Sequence, residues 1–135
     1  MGRKNRQENI PNPEKSKKLS EVIMTVRSVT ELRRLIKQRL TKEDKAILGK
    51  DGEEFISSLC EVINESGELQ LSQLPHLEKA YKSSKKVRAS IEFLVRHGIL
   101  KKVEIAISSE GKPIEEGYKI ASSEIWHHMR EIPLT

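Results

Sequence analysis

The hydrophobic period changes at Gly98, and few other features constrain the fold as tightly. Before it, Val87, Ile91, Leu94 and Val95 recur at helical spacing and form a stripe for burial. After it, Ile99 to Ile107 alternates by two in its second half, as a strand does. Glycine tolerates the left-handed conformation that stops a helix abruptly and turns the chain. Ile99 and Leu100 must then dock the strand beneath the core that receives Leu94. With 135 residues the chain suits one domain. Its five aromatics (Phe55, Tyr81, Phe93, Tyr118, Trp126) leave the core to Leu, Ile and Val.

Other elements follow from spacing and punctuation. Val22, Val26, Val29, Leu32, Ile36 and Leu40 suit a helix stripe, with Ser28 or Thr30 as the cap of a helix running to Leu40. Residues 21–27 are β-branched enough to form a strand instead. Thr41-Lys42-Glu43-Asp44 predicts a short helix, ended by Gly49-Lys50-Asp51-Gly52. A helix over 53–65 places Phe55, Leu59, Val62 and Ile63 on one face, with Ile56 and Cys60 at its margin. Gly67 stops it, Leu69-Gln70-Leu71 is a very short strand, and Ser72 caps a helix through Tyr81 with Pro75 in its first turn. Ser83 or Ser84 opens the helix that ends at Gly98. Ser108 to Pro113 is a turn, Tyr118-Lys119-Ile120-Ala121 completes a hairpin, and Ser122 or Ser123 caps a last helix closed by Pro133.

The division expected is a basic arm (1–18), an N-terminal helical extension (19–52), a central unit (53–121) and a C-terminal helix (122–135). The arm holds two prolines and one apolar side chain after the first Met, so it cannot bury enough surface to order itself. It reads either as a solubilising tail or as an arm that lies along phosphates or carries a nuclear-import address. The apolar stripes on 29–40 and around Trp126 (Ile125, Met129, Ile132) suit either the chain's own core or a homodimer contact.

Charge is unevenly placed on a net formal +5. Residues 1–18 carry six bases (Arg3, Lys4, Arg6, Lys15, Lys17, Lys18) against Glu8 and Glu14. Residues 82–102 carry seven (Lys82, Lys85, Lys86, Arg88, Arg96, Lys101, Lys102) against Glu92 alone. Two basic segments on an otherwise acidic body point to a polyanionic partner.

The order helix, short strand, helix, helix, hairpin over 53–121 resembles the winged helix family, a variant of the helix-turn-helix. The passage Leu94, Gly98, Ile99, Leu100 is similar to the junction by which that family's third helix enters its wing. The resemblance implies a mainly α fold with a small β-hairpin and extra helices at both ends. It implies double-stranded DNA as partner, with structured RNA an open alternative. The third helix then enters the major groove and the hairpin touches flanking backbone. Lys85, Lys86, Arg88 and Ala89 lie nearest the bases, Arg88 foremost, since arginine donates to guanine O6 and N7, while Ser83 and Ser84 at the helix N-terminus favour a phosphate. Arg96 lies further along the same face. Lys82, Lys101, Lys102 and the wing-tip Lys112 suit phosphate contacts, as do the arm bases. Glu115 and Glu116 oppose minor-groove use of the wing. Transcriptional regulation, or an accessory role in replication or plasmid maintenance, is the expected setting. A winged helix acting as a protein–protein module is the alternative.

Other chemistries find no support. One cysteine, Cys60, allows neither an intramolecular disulfide nor a multi-cysteine zinc site. His127 and His128 are adjacent, so they do not form an i, i+4 metal pair. Ser57-Ser58 lack nucleophile-elbow glycines, and no phosphate-cradling Gly-rich loop occurs. Neither an enzyme nor a cofactor is expected. No run of 18 apolar residues exists and no apolar stretch opens the chain, so the expectation is an intracellular protein of cytoplasm, nucleoid or nucleus.

Overall fold

The computed structural model describes residues 17–107 and 113–132. The chain runs α1 (Leu19–Val22), a 3-10 turn (Ile23–Thr25), α2 (Val29–Arg39), α3 (Lys42–Leu48), α4 (Gly52–Ser66) and β1 (Glu68–Gln70). A second 3-10 turn (Leu71–Gln73), α5 (Leu74–Tyr81), α6 (Ser84–Arg96), β2 (Leu100–Ile107), β3 (Pro113–Ile120) and α7 (Ser123–Glu131) follow. The fold is mainly helical with a small antiparallel sheet.

Hydroxyl caps start most of the helices. The side chains of Ser28, Thr41, Ser83 and Ser122 accept the backbone N–H three residues on, from Glu31, Asp44, Lys86 and Ile125. Asp44 returns the bond to the Thr41 N–H, closing a capping box. Residues 19–25 are helical, not a strand. Ser72 is not a cap: it sits in the 3-10 turn, and Gln73 precedes α5 without a side-chain cap. Pro75 does lie in the first turn of α5.

The end of α6 is a Schellman motif around Gly98, whose φ is +78°. Ile99 N–H donates to Leu94 O (2.9 Å) and Gly98 N–H to Val95 O (3.1 Å). The chain leaves this motif directly into β2, with Ile99 and Leu100 both buried.

The sheet has three strands in the order β1-β3-β2, one more than a hairpin. β3 starts at Pro113, well before Tyr118 where the sequence pattern places it, and pairs with β2 through an irregular register near Ala106. Its far end pairs with β1, Leu69 opposite Tyr118. A three-residue strand gains its ladder only from a partner fifty residues on, so local pattern carries little of it.

One hydrophobic cluster extends from Leu19 to Met129 and takes side chains from α1, α2, α4, α6, the sheet and α7. Phe93, Ile56, Leu59, Ile63, Val87 and Leu94 lie at its centre, fully buried. The buried face of α4 is Ile56, Leu59, Cys60 and Ile63. Cys60 is therefore central rather than marginal, Phe55 is half-buried, and Val62 is exposed. On α6, Val95 is likewise exposed.

Both stripes considered for a homodimer are used within the chain. Leu32, Leu35 and Ile36 pack into the cluster, as do Ile125 and Met129, and Val29 is buried as well. Trp126 donates from Nε1 to Asn64 O (2.8 Å) and lies against Gly67, where a Cβ would come within 3.0 Å of the indole. Trp126 and Ile132 of the C-terminal stripe remain half-buried.

The basic arm ends earlier than residue 18. Arg39, buried on α2, donates from Nε to the Lys17 carbonyl (2.9 Å), and Lys18 N–H donates to the Glu21 carboxylate (2.6 Å). Lys17 and Lys18 are thus held by their backbones while their side chains remain exposed. Arg3, Lys4, Arg6 and Lys15 lie outside the described residues, as does Lys112.

Candidate nucleic-acid interface

The α5–α6 corner is built from two terminators. Lys82 ends α5 in the left-handed region (φ +57°), and Ser83 N–H donates back to Glu78 O (3.1 Å). Ser83 then caps α6. A two-residue connection follows, so the last turn of α5 and the first of α6 form one protruding corner.

Five cations gather there. Lys79, Lys82, Lys85 and Arg88 are exposed and Lys86 is half-buried. Lys79 escaped the sequence argument because it precedes the basic run; its position in the last turn of α5 is the signal that finds it. Ser84 is exposed at the start of α6.

Arg88 stays open, with 67% of its side chain exposed, but it is not unengaged. Its Nε lies 3.3 Å from Glu78 Oε1 on α5. At that exposure the pair contributes little to stability, about 0–1 kcal/mol, and exchanges readily for another acceptor. Ala89 is 9% exposed and packed in the core cluster, so it cannot reach a base.

Arg96 does not belong to this surface in the way its position on α6 suggests. Its Nη2 donates to Asp44 Oδ2 on α3 (2.7 Å), and its guanidinium lies 5.6 Å from the centre of the Phe93 ring. Asp44 is buried, so removing Arg96 would leave a carboxylate without its counter-charge. Helix α3 packs against α6, and the residues of α6 that stay exposed are Ser84, Lys85, Arg88, Glu92, Val95 and, in part, the paired Arg96.

Lys101 and Lys102, at the start of the β2–β3 hairpin, separate. Leu100 and Ile120 are register partners and both are buried, so their row faces the core. In the next row Lys101 stands opposite Lys119, on the outer face of the sheet. Lys102 is in the row of Tyr118, on the other face. Lys119 was hidden from sequence reasoning because only the register reveals its neighbour. Further along the hairpin Glu104 and Glu116 are register partners.

Burial pushes the Cys60 thiol up to about 12, with Glu61 adding to the effect, so the thiol stays protonated and unreactive. Among the described residues no three His, Cys, Asp or Glu side chains are grouped to hold a metal ion. No helix among them is long and apolar enough to cross a membrane. The fold and this corner therefore stand without a named relative: no family model, curated protein or solved structure matches the chain.

Proposed function

We propose that this chain binds double-stranded DNA through the α5–α6 corner, as a winged helix protein of transcription or replication. The order α4-β1-α5-α6-β2-β3, with β1 paired to β3, supports the winged helix reading. The observation that carries the function is the corner itself, where Lys79, Lys82, Lys85, Lys86 and Arg88 surround the start of a capped helix. Exposed Lys85 and Arg88 are one turn apart and point away from the Val87, Ile91, Leu94 stripe. That is the placement by which a recognition helix reads base edges, while Lys79 and Lys82 would hold flanking phosphates. Arg96 is assigned to the scaffold and not to DNA.

A salt-dependent titration with duplex DNA tests the reading. Neutralisation of about five phosphates gives a slope of log K on log salt near −4 to −5. Duplex left unshifted by micromolar protein at ~50 mM salt would overturn it. Structured RNA as competitor distinguishes the two polyanions.

A second reading, a winged helix used as a protein–protein module, is favoured by one feature. The open face of α6 carries exposed Val95 beside Glu92, and its arginines are both engaged by acids of the same chain. Failure of the DNA titration moves this reading into first place.

A further inference from the structure

We propose that His97 is a proton-sensitive latch that holds the segment Lys17–Ser20 against the C-terminal end of α6. The seat of this segment is built from three contacts. Ser20 N–H donates to the His97 carbonyl (3.1 Å). The Lys17 carbonyl accepts from buried Arg39. Gly98 comes so near that a Cβ there would lie 2.5 Å from Ser20 Oγ. Leu19, between these contacts, is buried in the core cluster. Lys17 to Ser20 are thereby fixed beside the end of α6.

The imidazole of His97 suits this place only while neutral. Its ring lies 4.5 Å from the Phe93 ring, and its Nδ1 is shut off from solvent with no hydrogen-bond partner. A proton on Nδ1 would need an acceptor, and none is in reach among the described residues. The charged groups around it are Arg96 on α6, Arg39 on α2 and Lys18 ahead of α1, with Asp44 on α3 as the one carboxylate. Asp44 is already committed to Arg96. Partial burial, followed by Arg96 and Arg39, holds the His97 pKa below the usual histidine range. The sign follows directly. Opening restores an ordinary histidine that binds a proton more readily than the closed form. The closed seat is therefore fully stable above about pH 6.5 and weakens as pH falls from there through the lowered closed-state pKa. The latch depends on the seat alone and not on the DNA reading.

The test uses the full chain. NMR follows the His97 Cε1–H resonance from pH 8 to pH 5, and amide exchange, corrected for its intrinsic pH dependence, follows Ser20 and Phe93. Expected is a loss of Ser20 protection of up to about tenfold per pH unit between the two pKa values, tracking the His97 titration, while Phe93 stays protected. His97→Phe keeps a ring on Phe93 and His97→Gln keeps a polar group, and neither titrates. Both should hold Ser20 protection constant over this range; if one variant fails to fold, the other carries the comparison. Ser20 protection that does not change in the wild type, that changes without tracking His97, or that changes equally in a folded variant overturns the proposal.

Discussion

Arg96 reaches across 52 residues of chain to donate to Asp44, and in doing so joins α6 to α3. The carboxylate does two jobs, since its other contact closes the capping box on Thr41. Arg96→Ala should lower stability by about 1–2 kcal/mol, because it strands a buried acid while the lost arginine is itself half exposed. Sequence preference on DNA should not move. Chemical denaturation alongside a binding titration checks both halves.

Arg88→Ala should behave in the opposite way. Stability should change by less than about 1 kcal/mol, since its ion pair with Glu78 is largely exposed on the arginine side. Affinity for a specific site should fall by ~1–3 kcal/mol, with preference relaxed at one base pair. Glu78→Gln should tighten binding by freeing Arg88 and removing an acid from the corner. A specific site bound by Arg88→Ala as by wild type would assign α6 to a protein partner.

Lys82 occupies a backbone conformation that costs a non-glycine residue roughly 1 kcal/mol. Lys82→Gly should therefore raise the melting temperature while weakening binding to all duplexes alike and reducing the salt slope by about one unit. A stabilised variant with unchanged affinity would remove Lys82 from the interface.

Truncation distinguishes the arm from its seat. Removing residues 1–16 takes away Arg3, Lys4, Arg6 and Lys15 and should leave thermal stability unchanged while flattening the salt dependence. Removing 1–18 also takes the Lys17 carbonyl from buried Arg39 and the Lys18 N–H from Glu21, and should cost about 1–3 kcal/mol. Paired melting curves and titrations separate the two effects.

Cys60 provides a probe of the core. With its thiol pKa near 12 and its side chain buried, it should resist a disulfide reagent at pH 8 and react only as the chain opens. Labelling as fast as that of an unfolded control would show that α4 does not hold Cys60 inside.

The amino-acid sequence by itself determined the local elements, because their causes lie within four residues. Ser83 caps α6 through Lys86, Gly98 ends it by adopting positive φ, and the Val87, Ile91, Leu94 spacing selects its buried face. The basic corner was visible for the same reason, its residues being neighbours in the chain. What the tertiary structure decided depends on distant partners. β3 began early because β2 offers a ladder from Leu100 onward, and a third strand exists because Leu69 meets Tyr118. Lys101 and Lys119 became neighbours only through register. Val62 and Val95 fell outside the core because helix rotation is set by the neighbouring helices, not by the apolar count of the helix itself. Arg88 and Arg96, alike in sequence as bases on one helix, were separated by what faces them: half-buried Glu78 in a pair that leaves Arg88 open, and Asp44 in a buried seat. A charge on a helix announces itself in the sequence, but its counter-charge comes from whichever element the fold packs against it.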